Sequence, residues 1–180
     1  MRTITRISRL LVPVLVVLFA ATPAVIKAQD VANGSATATI LAALQVTGGT
    51  LVFGNVYQGV AKSVANNDAN AGVFQITGAA GSQISLYMQL PDYLQGPTND
   101  RMVVAFGVTD ASVDSTVNVT PTSFGAGWQN TNPHAFPAAT RIGSTGNAAI
   151  FLGGKVIPSV NQTAGAYTAD IVLTVSYTGA

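Results

Sequence analysis

Residues 166–177, AYTADIVLTVSY, hold an alternation of two residues across the whole segment. Tyr167, Ala169, Ile171, Leu173, Val175 and Tyr177 fall on one face, and Thr168, Asp170, Val172, Thr174 and Ser176 on the other. A repeat of two maintained this long fits a strand with one face buried and conflicts with the 3.6-residue repeat of a helix. The same rule applied along the chain predicts a strand at 83–90, with Ile84, Leu86, Met88 and Leu90 inward, ended by Pro91-Asp92. It also predicts one at 36–46, where Ala36, Ala38, Ile40, Ala42, Leu44 and Val46 alternate against Thr37, Thr39 and Gln45. Further strands are expected at 50–57, 72–77, 101–108, 113–120 and 148–157. Short strands parted by Gly, Asn, Asp and Pro clusters predict an all-β antiparallel β-sandwich rather than alternating β and α.

Charge supports this class. Lys, Arg, Asp and Glu make up 8% of the chain, against about 25% in ordinary globular proteins. Surface helices usually carry Glu and Lys, and this chain has no Glu at all. Thr, Ser, Asn, Gln and Gly supply the polarity instead, which suits strands and tight turns.

The first residues read differently. Arg2, Arg6 and Arg9 precede an apolar run at 10–21, LLVPVLVVLFAA, and then small and breaking residues, TPAVIKAQD. That order is the n-region, h-region and cleavage region of a signal peptide, with the expected cut after Ala28 and a second choice after Ala24. The run of 12 residues falls short of the roughly 20 that a membrane span needs. No Cys follows it to carry a lipid. The mature protein is thus expected in the periplasm, on the cell surface or outside the cell, with no membrane span after cleavage. Cleavage would also remove Arg2, Arg6, Arg9 and Lys27. Lys62, Arg101, Arg141 and Lys155 would then stand against seven Asp, a net charge of −3. A mildly acidic domain lacks the basic footprint of a nucleic-acid binder.

Residues 29–180 are expected to form a single domain, large enough to bury a core without disulfides. Two segments break the strand pattern: the polar stretch 61–71, and a long loop at 121–147 with four Gly, three Pro, the only Trp and the only His. Long loops within compact domains are often functional.

Catalytic signatures are absent. A serine nucleophile needs a base, and His134, in the long loop between Pro133 and Ala135, is the one histidine, with no Gly-x-Ser-x-Gly elbow in the chain. No carboxylate pair stands out among the scattered Asp. The stretch 66–72, NNDANAG, starts like a calcium loop, but its Gly comes one residue late and Thr77 stands where the bidentate Glu belongs. A polar hairpin loop is the simpler expectation there. No metal or cofactor is expected, and no enzyme activity. Asn33, Asn118 and Asn161 open glycosylation triplets, which matter only in a glycosylating host.

The ordered landmarks resemble a family. Leu51-Val52-Phe53-Gly54, the pair Gly153-Gly154 with Lys155-Val156, and Gly165-Ala166-Tyr167 leading to Val175-Ser176-Tyr177 occur in sequence. This is similar to the secreted bacterial family of domain-of-unknown-function 4402, over about residues 36–177. That family is similar in layout to spore-coat-U-like and chaperone–usher pilin domains, so the resemblance implies an immunoglobulin-like sandwich. Gly165 and Tyr177 lie twelve residues apart, which looks like the pilin spacing. Pilins carry a donor extension before the first strand, and here only 29–35 precede residue 36. Either 36–46 is itself the donor, or the domain completes its own fold.

Two functions follow as expectations. The first is an exported structural or adhesive surface subunit, pairing with itself or other surface subunits by β-strand addition. The alternative is a monomeric secreted or periplasmic binding module that uses Phe124, Trp128, His134 and Phe136 of the long loop as ligand contacts. Trp128 and Phe136 could equally fold onto the sandwich as a lid.

Overall fold

Alternation becomes burial where the chain pairs into sheets. The computed structural model describes residues 35–116, 120–123 and 129–179. The chain divides into two compact units, Met1–Ala38 and Thr39–Ala180. Residues 35–38 are the described part of the first, exposed and outside any strand. The second unit holds eleven strands among its described residues: β1 Gln45–Gly48, β2 Lys62–Val64, β3 Gly72–Thr77, β4 Ile84–Gln89, β5 Tyr93–Gln95, β6 Arg101–Ala105, β7 Ala111–Asp114, β8 Gln129–Thr131, β9 Asn147–Leu152, β10 Gly154–Ile157 and β11 Val172–Tyr177.

Every strand pair is antiparallel. One sheet runs β1-β3-β9-β7-β8, a second β2-β10-β6-β5, and a third pairs β11 with β4. The protein is an all-β sandwich. Inward residues of β3 and β9, Phe74, Ile76, Ala148, Ile150 and Leu152, meet Ile84, Leu86 and Met88 of β4 in the main core. Ile171, Leu173, Val175 and Tyr177 pack against the same core, as the alternation of 166–177 requires. Met102 and Val104 of β6 and Val156 of β10 form a second cluster with Phe53, Val56, Leu94, Phe106 and Tyr167.

Two chain segments change sheets at one level. β6 leads through 106–110 into β7, and β9 leads through Gly153 into β10. β6 pairs with β10, and β7 with β9. The expected strand 148–157 is therefore two strands meeting at a corner. Gly153 makes that corner possible: a Cβ there would stand 2.4 Å from the Val64 carbonyl oxygen and 2.7 Å from the Asn66 nitrogen. Its N–H bonds the Asp110 carbonyl at 2.7 Å.

Several expectations need correction. The strand expected at 36–46 is confined to β1, and 35–43 are exposed with Ile40 at 97%. Alternation alone cannot make a strand where no neighbour offers a ladder. Residues 50–57 likewise form no strand: Gly54 takes a left-handed φ of 63 and the chain bends at Asn55. Of the strand expected at 113–120, the described part is met by β7, Ala111–Asp114, and ends there, while 117–119 lie outside the described residues. The polar stretch 61–71, expected as a loop, contains β2, and 66–72 is not a hairpin loop, because the β2 and β3 that it joins lie in different sheets. Asn66 turns inward there, with the Thr109 carbonyl, the Ala111 carbonyl and Asn130 Oδ1 within 3.1 Å of its Nδ2. Asp68 Oδ1 accepts from the Asn70 backbone and side chain, both at 2.8 Å. The long loop 121–147 contains β8 and, past it, a bridge from Arg141 to Gln83.

Candidate functional site

The second core cluster is open on one side. A groove of about 1030 Å³ lies over the inner face of the β2-β10-β6-β5 sheet. Leu94, Met102, Val104, Phe106 and Val156 supply its apolar floor. Residues 49–58 form one wall and 162–171 the other.

The backbone of both walls is underused. Along 50–57 the Val52 N–H bonds the Asn70 carbonyl at 2.9 Å, yet no ladder forms among the described residues. Across the groove, Thr168 exchanges two bonds with Gln95, at 2.7 and 2.9 Å, and β11 pairs with β4 along one edge only. The inner residues of β4 are buried at 0 to 9% exposure, whereas Leu173, Val175 and Tyr177 of β11 remain half-buried. A trough of apolar side chains thus lies between two walls that belong to no named strand. One end is closed: Gln58 Nε2 donates to the Gln162 carbonyl at 2.5 Å, and Gly59 N–H to the Ser159 carbonyl at 3.0 Å.

The second wall is held by one carboxylate. The 97–99 turn carries Thr98 at φ 52 and Asn99 at φ 63, the former costly for a β-branched residue. It delivers Asp100, whose Oδ2 accepts from Gln162 Nε2 at 2.8 Å, Thr163 N–H at 2.9 Å and the Tyr167 hydroxyl at 2.8 Å. The Tyr167 hydroxyl also lies 2.7 Å from the carbonyl of Thr163, four residues upstream. That contact ties the tyrosine back to the chain just before it, as in a tyrosine corner. Hydrogen bonds from the Thr163 backbone first, and from the Tyr167 hydroxyl next, hold the Asp100 carboxyl well below its ordinary pKa. Desolvation first, and the Asp100 carboxylate after it, push Tyr167 up.

A pH dependence follows. The folded Asp100 titrates below the unfolded one, so its contribution is complete above about pH 4 and is lost as pH falls below that. Asp100→Asn should be less stable than wild type at pH 7, and the two should converge toward pH 2. Urea unfolding at several pH values measures this; a constant gap across the range would contradict it.

Of the residues singled out in the sequence, Phe53, Gly54, Gly165 and Tyr167 line the groove. Gly153 and Gly154 form the corner behind it, and Tyr177 sits away from it, its hydroxyl donating to the Ala42 carbonyl and accepting from the Ala79 N–H, both at 2.7 Å. The aromatic loop residues do not share this place. Phe124 and Trp128 lie outside the described residues. Phe136 packs against the main core. His134 is exposed, with Nε2 3.0 Å from the Phe106 carbonyl. Asp110 accepts from the Gly107 N–H at 2.7 Å, and buried Asp114 from Thr116. Among the described residues no three His, Asp or similar ligands gather to hold a metal, and no helix is long and apolar enough to cross a membrane.

Sequence reasoning missed Asp100, Gln58 and Gln162 as wall-builders. Their partners are up to 104 residues away, and no local pattern carries such a pairing. The chain matches no family model, no curated protein and no solved structure.

Proposed function

We propose that this chain is an exported structural or adhesive surface subunit that assembles by β-strand addition. The observation that carries it is the groove: an apolar floor between two walls, 49–58 and 162–171, that belong to no named strand. Such a site takes an extended segment, which pairs through its backbone and places alternate side chains in the floor. The second edge of β11 carries no ladder among the described residues, and an edge left open invites pairing with another chain.

The chain offers a matching segment. Ala36, Ala38, Ile40, Ala42 and Leu44 alternate, and residues 35–43 are exposed and outside any ladder. Ile40, with 97% of its surface in water, is an unusual place to leave a β-branched apolar side chain. The signal-peptide pattern at 1–28 and the ordered motifs that resemble those of the domain-of-unknown-function 4402 family support the same view. The family's pilin-like layout supplies the expectation of a surface fibre.

Ile40→Asp tests it. Because Ile40 touches no core, the substitution should leave thermal stability unchanged. It should abolish concentration-dependent association of the full chain, read by analytical ultracentrifugation. A free peptide of residues 35–44 should bind the Ile40→Asp chain. Wild type that stays monomeric at every concentration, with no peptide bound, would refute the proposal.

A further inference from the structure

The sheets differ in how their outward faces are covered. On β7 and β9 the outward residues Ser112, Asp114, Ala149 and Phe151 are buried. The outward face of the β2-β10-β6-β5 sheet is bare. Leu94, Met102, Val104 and Val156 face the groove on its inner side, so the residues that alternate with them face out. The register sets these in three rows: Gln95 beside Arg101, then Tyr93, Val103 and Ile157 across three strands, then Ala105, Lys155 and Ser63. All are exposed, and Tyr93, Val103 and Ile157 keep 41 to 49% of their surface in water.

Charge is sorted onto this face. It holds Arg101 and Lys155 and no acid, while the rest of residues 29–180 carries two cations and all seven Asp. The nearest acids in sequence are Asp92 and Asp100. The Asp92 carbonyl takes the Val104 N–H at 3.1 Å, which sets Asp92 level with an inward position. Asp100 Oδ2 is committed to the groove wall. Arg101 lays its guanidinium over the Tyr93 ring, 5.9 Å from the centroid, which holds its fork in place before a ligand arrives. Neither Arg101 nor Lys155 is ion-paired among the described residues.

Size narrows the occupant. Three strand spacings and three rows give a face of about 14 Å by about 13 Å, roughly 200 Å². A stable protein interface buries roughly 800 Å² per partner. A second copy docked through the same face would set like charges together. A peptide strand adds to a sheet edge through its backbone, whereas this face offers side chains alone. A saccharide chain needs no backbone partner, and carboxylates along it match two cations about 14 Å apart at strand geometry.

We infer that this face binds a carboxylated polysaccharide. Arg101 takes one carboxylate in its fork, and Lys155 takes another as a point charge. The C–H faces of the sugar rings lie on Tyr93, Val103 and Ile157. The site is on the other side of the sheet from the groove and does not depend on strand addition.

Calorimetric titration of the Ile40→Asp chain with oligogalacturonate reads the face without assembly. Oligogalacturonate should bind, and its fully methyl-esterified form, which keeps the rings and loses the charge, should not. Arg101→Gln in the same chain should weaken binding at least about tenfold, the lower end for a bond to a charged group. Val103→Asp should abolish it. Binding of the 35–44 peptide should be unchanged in Arg101→Gln, since the groove is untouched. No binding of oligogalacturonate, equal binding of the ester, or indifference to both substitutions would overturn the inference and leave strand addition standing. An oligoglutamate peptide that binds as tightly would overturn the saccharide assignment and give the face to an acidic protein. A wild type that never assembles but binds oligogalacturonate would remove strand addition and keep this site.

Discussion

Gly153→Ala should destabilise the chain by about 3 kcal/mol, at the upper end of ordinary overpacking. The added Cβ would stand 2.4 Å from the Val64 carbonyl oxygen, 2.7 Å from the Asn66 nitrogen and 2.8 Å from the Ala65 carbonyl carbon. All three are backbone atoms. They belong to the end of β2 and the loop after it, which Asn66 anchors by its own inward bonds. Relief would require pulling β9 away from that backbone and weakening the Gly153 bond to Asp110. For a chain of this size, about 3 kcal/mol lowers Tm by roughly 6–12 °C. Gly154→Ala is the useful comparison. Its Cβ would meet the edge of the Phe106 ring at 3.0 Å, and a ring can turn where a carbonyl cannot. Thermal unfolding should rank Gly153→Ala well below Gly154→Ala. Equal stability of the two would show that the corner relaxes freely.

Phe151→Ala should cost about 3–5 kcal/mol, the usual range for emptying a large buried aromatic site. Phe151 is fully buried, at 0% exposure, yet it lies on the opposite side of β9 from Ile150 and Leu152, which face the main core. β9 is thus buried on both faces, with the pattern iBBBBB from Asn147 to Leu152. Its cross-strand neighbours are Val73 on one side and Ser112 on the other, and Ser112 is itself at 0% exposure. Chemical denaturation measures the loss. A cost near 1 kcal/mol would mean that the outer face closes over the space, as flexible cover can.

These two positions show what the sequence could convey. The run AIFL at 149–152 has no alternation because both faces are covered, and continuous apolar strands read that way. The strand was legible; which face met which layer was not. The strand at 84–89 was legible almost to the residue, because its alternation is strict and Pro91 ends it. The segment 36–44 carries a looser alternation, broken by Leu41 and Ala43, and forms no ladder, since pairing depends on a neighbour supplied by the rest of the fold. The groove was half visible. Phe53, Gly54, Gly165 and Tyr167 stood out as motif residues, but their convergence depends on Asp100, whose partners Gln162, Thr163 and Tyr167 lie more than 60 residues away in sequence.

The short first strand has a mechanical consequence. In the proposed assembly, a subunit is gripped at its groove and hands on the segment that precedes β1. Tension in that segment would pass along the covalent chain through Leu44 into β1. The load would then reach the domain through the four registered pairs between β1 and β3, from Gln45↔Thr77 to Gly48↔Phe74. A fibre of such subunits would resist stretching first through that short edge ladder.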